Sequence, residues 1–508
     1  MSQAKVAVDY APPQTPQAAP SLGTAAGRGF AWMLGQTLVS KLLSVGAQIV
    51  LAWYLVRADM GLVGLALAVA SFPSLLRDAG LQQILVQRQV QFRRWSIPAF
   101  WMSLALGVVS GLLMAAIAPI ATHVLRAPGL TGLLLLQAAA SPLTALATVP
   151  AARVQIDLRY RFQAALALVM SIVSVTLNIV LARLHFGAYA IIFPLVLANV
   201  LRTVVLWVES PVRISRHLRI RRWRYLTGDS GLLLGTTAFM MLVANGDYLI
   251  VGYFCGSEAV GIFYFAFNLS MQTLALLMVN LANVLFPALS KLQAERPRQI
   301  EAYLRASRVF AAIAVPFCLM QAAGSDAGFR LIFKPIWYPS IPVLQILSVA
   351  MAIRTTAIPA QALTAAQNRL RYSLNIAVAY SIVFLAIVAL AARFGGPHAV
   401  IWVALAELVH FGITDPLYMY LLMRMNGRGV REVFHVFKAP LIAGSIAALI
   451  AGGVSHVFPA GLSRSWQLPR LLAVVCVMVV VYVPLLRLLS AELWQELVER
   501  VRALRAKA

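Results

Sequence analysis

Long apolar segments recur along this chain and constrain its fold more than any other feature. The hydrocarbon core of a bilayer is about 30 Å thick, and roughly 20 apolar residues cross it as one helix. Of the 508 residues, 61% are hydrophobic and 12% are charged, a balance too apolar for a single soluble core. Because lipid offers no partner to an open strand edge, we predict an all-α membrane protein with about 14 transmembrane helices. The predicted spans are 30–55, 60–76, 99–122, 129–149, 163–183, 186–208, 231–254, 259–287, 309–333, 341–364, 373–392, 398–423, 434–454 and 467–486.

The distribution of basic residues predicts the orientation of these spans. With both termini in the cytoplasm, the cytoplasmic segments hold 31 of the 42 Lys and Arg residues and the external segments hold 8. This asymmetry follows the positive-inside rule and predicts a multi-pass membrane protein in this orientation. The densest basic run, residues 213–225, lies between the sixth and seventh spans. We expect it to contact anionic lipid head groups and expect no nucleic-acid partner.

Three segments of the first half recur, in the same order, in the second half. The pairs are 53–68 with 253–268, where Gly61 falls on Gly261; "FPSLLR" from Phe72 with "FPALSK" from Phe286; and 149–160 with 358–372, which has three extra residues. Because each half holds six spans, the halves run in the same direction. Two parallel six-helix lobes are therefore predicted around a central cavity, with two further helices at the C-terminus.

The predicted organisation follows from these spans and repeats. It comprises a disordered cytoplasmic tail (1–29), an N-lobe of spans one to six (30–208), a basic cytoplasmic loop (209–230), a C-lobe of spans seven to twelve (231–423), spans thirteen and fourteen (434–486) and a cytoplasmic tail (487–508). The first tail is rich in Pro, Ala and Gln and has no apolar periodicity. Its composition and the long span that follows do not match a signal peptide. The three cysteines show neither disulfide nor metal-ligand spacing.

Several helix-end segments resemble one transporter family. They are "LVRADMGLVGLALAV", "RDAGLQQILVQR", "VPAARVQIDLRYRF", "NGDYLIVGYFCGSEAVGIFYFAFNL" and "NVLFPALSKLQ". Over roughly residues 30–430 the chain resembles the Wzx-type polysaccharide transporters of the multidrug/oligosaccharidyl-lipid/polysaccharide (MOP) exporter superfamily. The resemblance implies a flippase that moves undecaprenyl-diphosphate-linked oligosaccharide repeat units from the cytoplasmic to the periplasmic leaflet. Such units supply exopolysaccharide or lipopolysaccharide biosynthesis, with polysaccharide polymerase or export machinery as further partners.

Other functions are weighed against this one. An ion-coupled drug/cation antiporter and a lipid II flippase of the same superfamily remain alternatives, since fold does not settle substrate. A sugar-linking enzyme would need a sizeable external loop with acid, base and cationic groups, and the external loops here are short. We therefore predict no enzyme activity, no catalytic residue, no metal site and no cofactor other than H+ or Na+ for coupling.

Three cations lie inside the predicted spans and are candidates for the substrate path. Lys41 and Arg354 lie near the middle of the first and tenth spans, where each charge costs about 3 kcal/mol on insertion scales. Arg202 is nearer the cytoplasmic end of the sixth span and can also extend to the interface. Arginine suits phosphate because its planar fork donates two parallel hydrogen bonds, whereas lysine acts as a point charge.

An acidic residue in the seventh span is the complementary feature. Asp247 follows Asn245 by two residues, and the resembled family shows a similar Asn-x-Asp pattern there. Two interpretations remain open: a counter-ion for Lys41 or Arg354, or a coupling carboxylate that binds H+ or Na+. Direct contact with sugar is a third.

The twelfth span carries a second acidic set. Glu407 and His410 are three residues apart and share a helix face, and Asp415 follows on the same helix. These residues are either part of the coupling or counter-ion system or members of a buried, satisfied hydrogen-bond network. Asn268 in the eighth span, together with Asn245, is predicted to be a polar residue of the lumen or of a helix contact.

Overall fold

The computed structural model describes residues 22–78, 80–212, 223, 230–355, 357–458 and 463–505. Residues 1–21 of the predicted tail and most of the basic run 213–225 lie outside the described residues. Every regular element within the described ranges is a helix, as the apolar segments predict. The first helix begins at Leu22, earlier than the predicted start at residue 30.

Eighteen α-helices follow one another along the described chain. They are α1 (Leu22–Tyr54), α2 (Arg57–Asp78), α3 (Leu81–Gln87), α4 (Phe92–Val124), α5 (Leu130–Ala145), α6 (Thr148–Ile156), α7 (Tyr160–Arg183), α8 (Tyr189–Glu209), α9 (Ser230–Cys255), α10 (Ser257–Lys291), α11 (Arg296–Ile332), α12 (Ser340–Arg354), α13 (Ala357–Ala366), α14 (Leu370–Phe394), α15 (Ala399–Arg424), α16 (Val430–Val457), α17 (Arg464–Leu489) and α18 (Ala491–Arg505).

Twelve or thirteen membrane spans can be assigned to the described helices, against the fourteen predicted. Twelve helices of the described chain are long and apolar enough to cross a membrane, and the bent pair α5–α6 can form a thirteenth span. The predicted eighth span, 259–287, falls within α10, where part of the side chains lies outside the described residues. The count of fourteen therefore stays a prediction.

Two spans are broken at related places in the two halves. α5 and α6 meet at a bend of 46°, and α12 ends three residues before α13 begins. Pro150 and Pro359 each occupy the third position of the helix that follows the break. A proline in the first turn removes an N–H that has no partner there in any case, so the repeated proline allows a new helix to start.

The backbone repeats the same turns in both halves. Leu158 and Asn368 adopt left-handed φ angles of 53° and 54° before α7 and α14, and Gly187 and Gly396 adopt 55° and 53° before α8 and α15. Left-handed backbone is uncommon for a residue other than glycine. Four matching positions therefore support the internal repeat that the sequence suggests.

The two halves meet along α2 and α10. Gly61 and Gly261 allow close approach, because a Cβ on Gly61 would overlap the Ser257 carbonyl oxygen and a Cβ on Gly261 would overlap that of Arg57. The two glycines that align in the sequence repeat thus face each other across the interface between the halves.

Hydrogen bonds reinforce this interface where α1 ends and α12 begins. The Trp337 indole donates to the Ala52 carbonyl at 2.8 Å, and Lys334 Nζ donates to the Trp53 carbonyl at 2.6 Å. Arg57 Nε donates to the Ile336 carbonyl at 2.6 Å. We call this end of the molecule the Trp337 side, and it is where the two halves are held together.

Candidate functional site

Four buried ionisable side chains from α9 and α15 form the central feature of the second half. Asp247 and Glu407 are 0% exposed, and His410 and Asp415 are 1% exposed. Acidic groups buried at this depth are rare inside membrane proteins and mark functional positions by default. The sequence flagged these residues as two separate sets, and the structure places them around one region.

Asp247 and Glu407 are direct neighbours across the α9–α15 contact. One oxygen of Asp247, Oδ1, accepts a hydrogen bond from the Tyr248 backbone N–H at 2.8 Å. The other oxygen, Oδ2, and both oxygens of Glu407 have no donor among the described residues. Ionised carboxylates only accept hydrogen bonds, so the two acidic groups satisfy each other only when one of them carries a proton.

His410, which is on the same helix as Glu407, is surrounded by aromatic rings. Its ring packs against Tyr380 and Phe384 with centroid distances of 4.4 and 5.2 Å, and against Phe411 at 5.6 Å. Neither ring nitrogen has a hydrogen-bond partner among the described residues. Whether Glu407 and His410 serve coupling, act as counter-ions or belong to a hydrogen-bond network therefore stays a prediction.

Asp415 is held by a different helix. The Tyr380 hydroxyl of α14 donates to Asp415 Oδ1 at 2.9 Å, while Oδ2 has no partner among the described residues. Helices α9, α12, α14 and α15 thus all contribute a polar or charged side chain to this region.

Arg354 supplies the positive charge. It is the last residue of α12, directly before the break in that span, and it is half-buried. Its guanidinium lies 4.5 Å from the Phe411 ring centroid, within the usual range of a cation–π contact. Its charge acts on Asp247, Glu407, His410 and Asp415.

Direct ion pairs are absent from this cluster. The carboxylates of Asp247, Glu407 and Asp415 each lie more than 4.0 Å from every basic nitrogen of the described residues. Arg354 and Glu407 therefore form no salt bridge. Removing one charge from this cluster therefore breaks no salt bridge, but it changes the electrostatic potential at the other charged side chains.

The remaining predicted site residues lie elsewhere. Lys41 is half-buried in α1 and forms no ion pair with a described residue, so the predicted neutralisation of Lys41 by Asp247 is not found. Arg202 is exposed on α8, in a separate pocket of the first half. Asn245 and Asn268 each donate to a carbonyl four residues earlier in their own helix, at 3.3 and 2.8 Å.

Four further contributors had no signal in the sequence. Tyr380 and Phe411 are ordinary residues of apolar spans, and their contacts with Asp415 and Arg354 depend on how α14 and α15 are rotated. Gln48 of α1 and Gln272 of α10 form a hydrogen bond between the two halves. Such a pair cannot be found from spacing, because its members are more than 200 residues apart.

Known proteins share this architecture. The family described as polysaccharide biosynthesis protein matches residues 50–342, more than half of the chain. The chain is 21% identical over 490 residues to the succinoglycan biosynthesis transport protein ExoT of Rhizobium meliloti (strain 1021), covering 94% of this chain and 96% of the relative. It is 22% identical over 379 residues to the lipopolysaccharide biosynthesis protein WzxC of Escherichia coli (strain K12), covering 72% and 75%.

Solved structures show the same fold. The lipid II flippase MurJ in an inward closed conformation has a TM-score of 0.69 at 13% identity, covering 92% of this chain and 99% of that chain. An inward-facing multidrug resistance transporter of the MATE family, in the MOP superfamily, has a TM-score of 0.53 at 15% identity, covering 78% and 96%. The predicted MOP fold is therefore confirmed.

Proposed function

Because this chain belongs to the polysaccharide biosynthesis protein family, we propose that it is a flippase for undecaprenyl-diphosphate-linked oligosaccharide repeat units. The observation that carries this proposal is the family match. Similarity to a succinoglycan biosynthesis transport protein over nearly the full length of both chains supports it. The MOP fold supplies two lobes that can alternate access to one cavity. The product would enter exopolysaccharide or lipopolysaccharide biosynthesis.

The orientation belongs to the proposal. With both termini in the cytoplasm of a bacterial cell, the Trp337 side faces the periplasm, and the charge asymmetry of 31 to 8 supports this assignment. The hydrogen bonds of Trp337, Lys334 and Arg57 then close the periplasmic side. In this conformation the transporter would receive its substrate from the cytoplasmic leaflet.

The cluster around Asp247 is the proposed coupling site. Asp247 and Glu407 need one shared proton to satisfy their oxygens, and a proton that enters or leaves this pair changes the local charge by one unit. Arg354 would respond to that change, because it lies at the break of α12–α13 and acts on both carboxyl groups. The break in α12–α13 beside this charge would link protonation to movement of the lobes.

The coupling ion is proposed to be H+. One proton shared between Asp247 and Glu407 would give their carboxyl groups a hydrogen-bond donor, which neither has when both are ionised.

The substrate path is proposed to use Lys41 and Arg354. They belong to different halves, and neither is neutralised by an ion pair with a described residue. A diphosphate crossing the cavity would meet positive charge from both lobes.

The experiment that tests the function compares cells with and without the gene. Loss of the protein should cause undecaprenyl-diphosphate-linked repeat units to accumulate on the cytoplasmic leaflet and should stop export of the polymer. Plasmid-borne wild-type protein should restore both. An unchanged pool of lipid-linked sugar together with a loss of drug resistance would instead identify an antiporter, and accumulation of lipid II would identify a lipid II flippase.

A further inference from the structure

A second polar pocket lies in the first half, away from the acidic cluster. It has a volume of about 380 Å³ and is lined by α2, α3, α5, α6 and α8. This volume is within the range of small-molecule sites. Its charged side chains are Arg77, Asp78 and Arg202, and Gln82, Thr144 and Asn199 are among its neutral polar ones.

Arg202 is the uncompensated charge of this pocket. Arg77 is already engaged, since it bonds to Asp78 Oδ1 at 2.9 Å and to Thr144 Oγ1 at 3.2 Å. Arg202 has neither an ion pair nor a hydrogen bond with any described residue. It lies seven residues, or about 10 Å, before the end of α8. The pocket therefore carries one net positive charge.

Two of the helix segments that line the pocket correspond to segments of the acidic cluster. Thr144 lies beside the break of α5–α6, as Arg354 lies beside the break of α12–α13. The helices α8 and α15, which carry Arg202 and Glu407, each follow a left-handed glycine. Corresponding helices thus carry an acidic group in one half and a cation in the other.

We propose that this pocket binds the glycosyl-diphosphate head group of the lipid-linked substrate as it enters from the cytoplasmic leaflet. The inference rests on the function proposed above. The Arg202 fork would donate two parallel hydrogen bonds to a phosphate. Asp78, Gln82 and Asn199 offer side-chain oxygens that accept hydrogen bonds from sugar hydroxyls, which accounts for a carboxylate beside an anion site. The amide nitrogens of Gln82 and Asn199 already donate to Gln155 Oε1 and to the Leu195 carbonyl.

A phospholipid head group shares the phosphate chemistry, so the test separates the two sources. The full-length protein in detergent is titrated by native mass spectrometry with three probes: undecaprenyl diphosphate linked to glucose, undecaprenyl diphosphate alone, and phosphatidylglycerol. Arg202→Gln should weaken binding of both undecaprenyl probes by about tenfold or more and leave phosphatidylglycerol unchanged.

The matched control is Arg161→Gln. Arg161 is exposed near the start of α7, on the same side of the membrane, and it does not line the pocket. The variant loses the same charge, so it should bind all three probes as the wild type does. Equal binding by Arg202→Gln and the wild type would overturn the proposal, and so would an equal loss of phosphatidylglycerol.

A second variant keeps the test decisive if Arg202→Gln does not accumulate. Asn199→Leu removes a sugar-binding amide and keeps every charge, so it should weaken only the glucose-linked probe, by about threefold to tenfold. No difference between the two undecaprenyl probes would contradict the sugar contact. Failure of the wild-type protein to bind either undecaprenyl probe would refute the proposed function itself, whereas wild-type binding without any effect of these variants refutes only the pocket.

Discussion

Gly61→Ala is expected to open the Trp337 side by forcing α2 and α10 apart. A methyl group on Gly61 would overlap the Ser257 carbonyl oxygen, which is backbone and cannot rotate away. A carbon and an oxygen need roughly 3.3 Å between them, so the helices must separate by on the order of 1 Å. Overpacking of this kind costs about 1–3 kcal/mol.

Under the proposed alternating access, the two helices separate here when the periplasmic side opens, so the cost falls on the closed conformation. Since about 1.4 kcal/mol is a factor of ten in an equilibrium constant, the ratio of closed to open molecules should fall by roughly fivefold to 150-fold. Alanine also favours the helix itself by about 0.5–1 kcal/mol, so the variant should remain folded.

Spin labels at Leu184→Cys and Phe394→Cys report the change. Both positions are exposed at the ends of α7 and α14, one in each half. Electron–electron resonance should show a shift from short to long label distances in Gly61→Ala. The control is Gly46→Ala, because a Cβ at Gly46 in α1 meets nothing within 4 Å. Identical distance distributions in the Gly61→Ala and Gly46→Ala proteins would refute the reasoning.

Four further predictions concern charge and topology. Asp247→Asn removes the carboxylate and keeps its size, so polymer export should fall at least about tenfold at normal membrane levels; normal export would exclude both the coupling and the counter-ion roles. Arg354→Lys should retain partial export because the charge survives without the planar fork, whereas Arg354→Glu should abolish it; equal export by the two variants would argue against a role in phosphate recognition. The double variant Lys41→Asp with Asp247→Lys should not restore export, because the wild-type residues form no ion pair; full recovery would show that they act as one. Reporter fusions after Arg222 and after the C-terminus should both give cytoplasmic signals, and a periplasmic signal at either point would contradict the orientation.

The sequence alone determined the class of fold and most of the helices. Each span is set by local composition, because about 20 apolar residues have no stable state in a bilayer other than a helix. The repeat of 149–160 in 358–372 indicated that the two halves correspond, but the breaks of α5–α6 and α12–α13 fall inside the spans 129–149 and 341–364, which the sequence predicts as unbroken. Polar residues such as Asp247 and Glu407 could be flagged because each is costly in an apolar segment.

Only the tertiary structure decided which of these residues meet. Rotation and tilt of a helix are set by packing against its neighbours and not by the length of its apolar segment. Asp247 therefore faces Glu407 rather than Lys41, and Tyr380 bonds to Asp415 although nothing in its own span indicates a partner. Opposite charges in a sequence predict a pair only when packing brings them together, and here the packing of α9 against α15 brought two acids together instead.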